Sequence, residues 1–159
     1  MVSLLFAFGL TLATPVFADT YQDALQEGEQ LYKAEKYDEA IQAFAEAAEA
    51  QDSETSKVAC AYLGICYYGK GDRDKAIVWC ERALEKDAQY LWALENLSVV
   101  YFSSRSKYPK GMAIAERAEA LYSKEPSVYY NMACYFALSA KRTFLSAMST
   151  RPSTSASRT

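Results

Sequence analysis

The sequence predicts an all-α fold of stacked antiparallel helix hairpins, on three observations. Small residues recur at near-equal intervals: Gly28, Gly64, Ser98 and Ala133 stand 36, 34 and 35 positions apart. Around each of them, marked residues fall at i, i+3, i+4 and i+7, one stripe of a helix with 3.6 residues per turn. Gly and Pro are scarce, at six and four, while Ala, Glu, Leu and Lys fill the middle of the chain, so intrinsic propensity favours helix over strand. A hairpin cannot bury both of its faces alone, so successive hairpins must stack and share a core.

The elements follow in order. Residues 1–18, MVSLLFAFGLTLATPVFA, carry no charged side chain and give way at Asp19 to a polar segment. An apolar run from Val2 to Thr14, a break at Pro15, and Val16-Phe17-Ala18 ahead of Asp19 match a secretory signal peptide cleaved after Ala18. The run is shorter than the roughly 20 apolar residues of a spanning helix, so a membrane partner is expected only if the segment is retained. The repeat domain then covers 19–140. Its first unit, residues 21–54, has Ala24, Glu27, Gly28 and Leu31 in one helix and Ala40, Phe44 and Ala47 in the next. The second unit, 57–90, has Cys60, Leu63, Gly64 and Tyr67, a GKGD turn, then Ala76, Cys80 and Ala83. In both, 12 positions separate the Gly from the Ala that opens the second stripe.

The third unit, 91–125, has Leu94, Leu97, Ser98 and Tyr101, then Ala113, Arg117 and Ala120. Through its turn, SSRSKYPKG, the gap from Tyr101 to Ala113 is three positions longer than that from Tyr67 to Ala76, with Pro109 at the first helical position. A partial fourth unit, 126–140, opens with Tyr129, Met132, Ala133 and Phe136, and no second helix with the same Ala pattern follows. Residues 141–159 hold nine Ser or Thr among nineteen and no acidic residue, the composition of a disordered tail.

The order and spacing of these residues resemble the tetratricopeptide repeat, with its W-x2-L-G-x2-Y, then A-x3-F, then P signature. LGICYYGKGDRDKAIVWCERAL reads almost through that motif, KAEKYDEAIQAF matches its turn and second helix, and VYYNMACYFAL resembles the first helix of a terminal repeat. The resemblance spans about 21–140 and implies a right-handed αα superhelix whose first helices line a concave, peptide-binding face. Arg117 departs from it, standing where the family has an aromatic or aliphatic side chain, and Glu27 replaces the expected Leu.

The candidate site follows from that face. Tyr32, Tyr68 and Phe102 each come directly after a core residue, at the same place in three units, and form a ladder. With Trp92 and Tyr130 they give an aromatic-lined groove, and rigid aromatics bind partners at little entropic cost. The alternative for the same rings is packing between helices. Asn96 and Asn131 stand where the family often has an amide that bonds a bound peptide's backbone. The basic and amide clamp with which some relatives hold a chaperone's C-terminal carboxylate is absent.

Chemistry and charge exclude other classes. The chain has no His, and its carboxylates lie on solvated faces, so no catalytic constellation and no cofactor is expected. Cys60, Cys66, Cys80 and Cys134 form no CxxC pair, which removes standard zinc and haem motifs. Cys60 and Cys80 are the pair to test for a disulfide in an oxidising compartment. From Asp19 to Ala140 there are 13 Lys plus Arg against 20 Asp plus Glu, a net charge of −7, which disfavours nucleic acid. The expectation is a non-enzymatic scaffold, exported from a bacterium to the periplasm or beyond, that binds a protein or peptide. Self-association as a homodimer, or a tethered subunit of an envelope complex, is the alternative.

Overall fold

The computed structural model describes residues 16–149. Seven α-helices follow one another with no strand among the described residues: α1 (Val16–Lys33), α2 (Tyr37–Ala48), α3 (Ser53–Gly69), α4 (Arg73–Lys86), α5 (Leu91–Phe102), α6 (Tyr108–Leu121) and α7 (Pro126–Ser149). They form the three expected hairpins and a seventh helix, an αα solenoid. No helix among the described residues is long and apolar enough to cross a membrane. The leader expected at 1–18 lies outside the described residues except for Val16–Ala18, which form the first turn of α1.

The hairpins close by local chemistry. Asp52 caps α3 by accepting from the Thr55 backbone N–H at 2.7 Å, and Asp72 caps α4 by accepting from Lys75 N–H at 3.2 Å. The first two turns are one structure repeated. Glu35 and Lys36 donate backwards to the carbonyls of Tyr32 and Leu31, as Gly71 and Asp72 do to Tyr68 and Tyr67. Both turns need a left-handed residue: Gly71 sits at φ 84°, whereas Glu35 holds φ 59° with a side chain, at a cost of about 1 kcal/mol. The turns are tied outside by two ion pairs in matching places, Lys70–Asp38 and Lys107–Asp74.

Helices within a hairpin meet at the small residues. The Gly28 Cα faces the Phe44 ring so closely that a Cβ would lie 2.6 Å from it, and a Cβ at Gly64 would lie 2.4 Å from Cys80 Sγ. Phe44, Ala40 and Ala47 are fully buried in the first unit, as are Ala76, Cys80 and Ala83 in the second. All four cysteines are free, so Cys60 and Cys80 are not bridged. Burial pushes the thiols of Cys66 and Cys80 up to about 11 and about 12.

Three expectations are corrected. In α6 the buried stripe is Gly111, Ala115 and Ala118, while Ala113, Arg117 and Ala120 are exposed. Gly111, the last residue of the expected turn SSRSKYPKG, lies inside α6, where it makes room for the Phe102 ring. The Ser98-to-Gly111 spacing is thus 13, one more than in the other units, with a 3₁₀ turn over Arg105–Lys107 absorbing the difference. Arg117 leaves the core altogether, and its guanidinium donates to the Ala88 carbonyl. In α7, Val128, Met132 and Tyr135 are buried and Tyr129, Ala133 and Phe136 are not, because among the described residues no second helix packs on that side. Finally, α7 runs without a break past 140 to Ser149, so the tail expected from 141 begins inside a helix. Leu145, Ala147 and Met148 stand in that helical stretch, whose Ser and Thr content argues for disorder.

Candidate functional site

The stacking is one-sided. First helices touch along the array, α1 with α3, α3 with α5 and α5 with α7, whereas among the described residues no Cα of α2 comes within 8 Å of α4, nor of α4 with α6. The stack therefore curves with α1, α3, α5 and α7 on its inner face.

Tyr62 is the centre of an aromatic strip across that face. Its ring meets Tyr32 of α1 edge-on at 5.6 Å and Trp92 of α5 edge-on at 4.6 Å, and stacks on Phe44 at 4.5 Å. Tyr37 and Tyr90 extend the strip, at 6.1 Å from Tyr32 and 6.3 Å from Trp92. Burial, and then the Glu29 carboxylate that Tyr62 hydrogen-bonds, push its phenol up to about 12, so it stays a protonated donor at any physiological pH. Burial also raises Tyr32. Tyr32, Tyr62 and Trp92 are all half-buried, anchored by packing yet open on one side.

The other expected residues fare differently. Phe102 is only 4% exposed, its ring stacked on Tyr135 at 3.6 Å and edge-on to Tyr108 at 4.7 Å, so it is core and does not line the groove. The proposed ladder of Tyr32, Tyr68 and Phe102 is therefore not a surface, and Tyr32 pairs with Tyr62 instead. Tyr68 is half-buried on the α7 side, near enough to Tyr135 to act on its phenol. That phenol is raised mainly by burial, and its oxygen lies 2.7 Å from Ser98 Oγ. Tyr130 stands 72% exposed, apart from the strip. Asn131 Nδ2 donates to Glu95 Oε1 at 3.1 Å, bridging α7 to α5.

Asn96 Nδ2 is buried without a hydrogen-bond partner, so in this conformation it offers no amide to a ligand. A buried unsatisfied donor costs about 1–3 kcal/mol. Asn96→Leu is accordingly expected to raise stability by about 1 kcal/mol, read as a higher urea midpoint at unchanged slope; a lower midpoint would show that the amide is satisfied in solution.

Tyr62, Glu29 and Glu95 escaped the reading of the sequence. A usable signal existed, since Tyr32, Tyr62 and Trp92 are spaced by 30 and 30. Parallel neighbouring helices meet about one turn short of the full repeat, so the rings that touch are not the ones in equivalent positions. Among the described residues no three Cys, Asp or Glu side chains are grouped to hold a metal ion.

Comparison with known proteins agrees with the geometry. Residues 31–97 match the model of the tetratricopeptide repeat family. No curated protein matches the chain in sequence. Among solved structures, the TPR domain of Arabidopsis OM64 superposes with a TM-score of 0.68 at 13% identity, covering 76% of this chain and 98% of that one. The Hsp90 co-chaperone Cns1 from Saccharomyces cerevisiae gives 0.75 at 17% identity, over 85% of this chain and 43% of that one. The first TPR of Spaghetti (RPAP3), bound to the HSP90 peptide SRMEEVD, gives 0.68 at 18% identity, over 77% and 97%. The chain is thus similar to the tetratricopeptide repeat family over residues 31–97 and shares the fold of these solved repeat domains.

Proposed function

We propose that this chain is a non-enzymatic scaffold whose inner face binds an extended peptide or a partner protein, with Tyr32, Tyr62 and Trp92 as the anchoring strip. The observation that carries the reading is the interlocking of three half-buried rings across three successive first helices. Rings held by their neighbours lose little side-chain freedom when a partner covers them. The solved TPR of Spaghetti holds a peptide, which supports the same use of this fold. The leader-like residues 1–18 support export from a bacterium, to the periplasm or outside the cell.

Trp92→Ala is the test. The variant is expected to lose partner capture in cross-linking pull-downs while losing at most about 2 kcal/mol of stability, because Trp92 is half-buried at the start of α5. Capture undiminished by Trp92→Ala would remove the strip from the binding surface. N-terminal sequencing of the protein from its native envelope tests export, with Asp19 as the expected first residue.

Self-association is a second reading, favoured by α7. Tyr129 and Phe136, on the side of α7 that corresponds to the hairpin-forming faces of α1, α3 and α5, are 52% and 57% exposed. Sedimentation equilibrium decides it: a mass that rises with concentration and is abolished by Phe136→Glu supports a homodimer through this face.

A further inference from the structure

The inner face carries two carboxylates that the fold itself leaves without a counter-cation. Glu29 of α1 and Glu95 of α5 are both half-buried. Their partners are neutral: Glu29 accepts from Tyr62 and Glu95 from Asn131. The salt bridges of the described residues lie elsewhere, using Lys36, Lys57, Lys70, Lys75 and Lys107 with Asp or Glu residues other than these two. Lys33, one turn beyond Glu29 at the exposed end of α1, forms no salt bridge with it. A carboxylate drawn partly out of water gains most from a cation that arrives with a ligand.

The aromatic strip lies between the two acids. Glu29 bonds Tyr62, Tyr62 packs on Trp92, and Glu95 follows Trp92 by three positions on the same face of α5. Indole and phenol faces attract cations, a guanidinium above all, because it is planar and weakly hydrated. The repeat domain adds a net negative field, which draws cationic segments and repels acidic ones.

Resting on the groove reading above, we propose that the partner segment is an extended peptide bearing arginine or lysine side chains, one of which lies on the Tyr62–Trp92 strip with Glu29 and Glu95 at either side. The groove thereby selects against acidic peptides and against free C-terminal carboxylates as anchoring groups.

The experiment titrates the full chain with three labelled peptides of equal length, alternating leucine with arginine, glutamine or glutamate, and follows fluorescence anisotropy. At about 50 mM salt, where the Debye length still exceeds 10 Å, the arginine peptide is expected to bind at least about tenfold more tightly than the glutamine peptide, and the glutamate peptide not at all. Glu29→Gln with Glu95→Gln should erase that preference, whereas Glu116→Gln with Glu125→Gln, which removes two negative charges at a distance, should keep it. Equal affinity for the arginine and glutamine peptides, both lost in Trp92→Ala, overturns the charge selection and leaves the groove standing. Equal losses in the two double variants reduce the effect to general acidity and overturn the proposal too. No Trp92-dependent binding of any peptide overturns both the proposal and the groove.

Discussion

Phe102→Ala is expected to destabilise the protein by about 3–5 kcal/mol and to release α7 before the rest of the array unfolds. The ring is almost fully buried, stacks on Tyr135 of α7 at 3.6 Å and fills the space that Gly111 leaves open in α6. Alanine leaves that volume empty and removes the base on which Tyr135 rests. The remaining ties of α7 are the buried Val128 and Met132 and a few polar contacts, among them the Ser98–Tyr135 hydroxyl contact at 2.7 Å and the Tyr108 phenol donating to the Tyr135 carbonyl at 3.0 Å. Hydrogen exchange should show α7 amides losing protection well ahead of α3 and α4. Uniform loss of protection along the chain would mean that the array melts as one unit, and an unchanged melt would return Phe102 to the surface.

Gly64→Leu is expected to cost about 3 kcal/mol, by forcing α3 and α4 apart where they cross most closely. Helix propensity alone predicts the opposite sign, since replacing a helical Gly gains up to about 1 kcal/mol. Packing wins because the space is already taken: a Cβ at position 64 would lie 2.4 Å from Cys80 Sγ and 3.3 Å from the Ala76 carbonyl, all within a fully buried core. A double-mutant cycle isolates the cause. Gly64→Ala should destabilise the native background and become neutral or stabilising in Cys80→Ala, where the sulfur is gone. The same cost in both backgrounds would shift the blame to the backbone of α4.

The hairpin architecture was legible because each crossing needs a small residue, and a small residue on an apolar helical stripe leaves a mark in the sequence. Gly28 and Gly64 gave the first two units their correct stripes, down to Ala40, Phe44 and Ala47 and to Ala76, Cys80 and Ala83. The third unit misled because its crossing is inverted: the large ring, Phe102, is on the first helix and the glycine, Gly111, on the second. A search for a small residue in the first helix found Ser98 and then counted to the wrong alanines. The end of α7 differs from the expected tail because Ser and Thr lower helix propensity only modestly, so a Ser- and Thr-rich composition does not by itself exclude helix.

Less of the candidate site could be read. Equivalence between repeats aligns residues that share an environment, and so grouped Tyr32 with Tyr68 and Phe102. Contact across a stack joins residues offset by about a helical turn, and so joins Tyr32 to Tyr62 and Tyr62 to Trp92. Phe102 shares a register with Tyr68 but faces an additional helix, α7, whose Tyr135 covers it. Nor could sequence reveal that Glu29 and Glu95 are half-buried without cations, since a charged residue on a helix is by default a solvated one.

The contact of first helices along the array, while α2, α4 and α6 stand clear of one another, has a mechanical meaning. The array is held by first helices meeting along the inner face and by each second helix packing on the next first helix, α2 on α3, α4 on α5 and α6 on α7. Its easiest deformation is a change of curvature, because α2, α4 and α6 do not touch one another and can approach or separate while each moves with the first helix it packs on. Opening the groove thus breaks no aromatic contact along the inner face, and a bulky ligand is accommodated by elastic bending spread over three joints. A pull on the two ends, by contrast, loads these joints directly. The joint to yield first is the one with the least packing behind it, between α5 and α7.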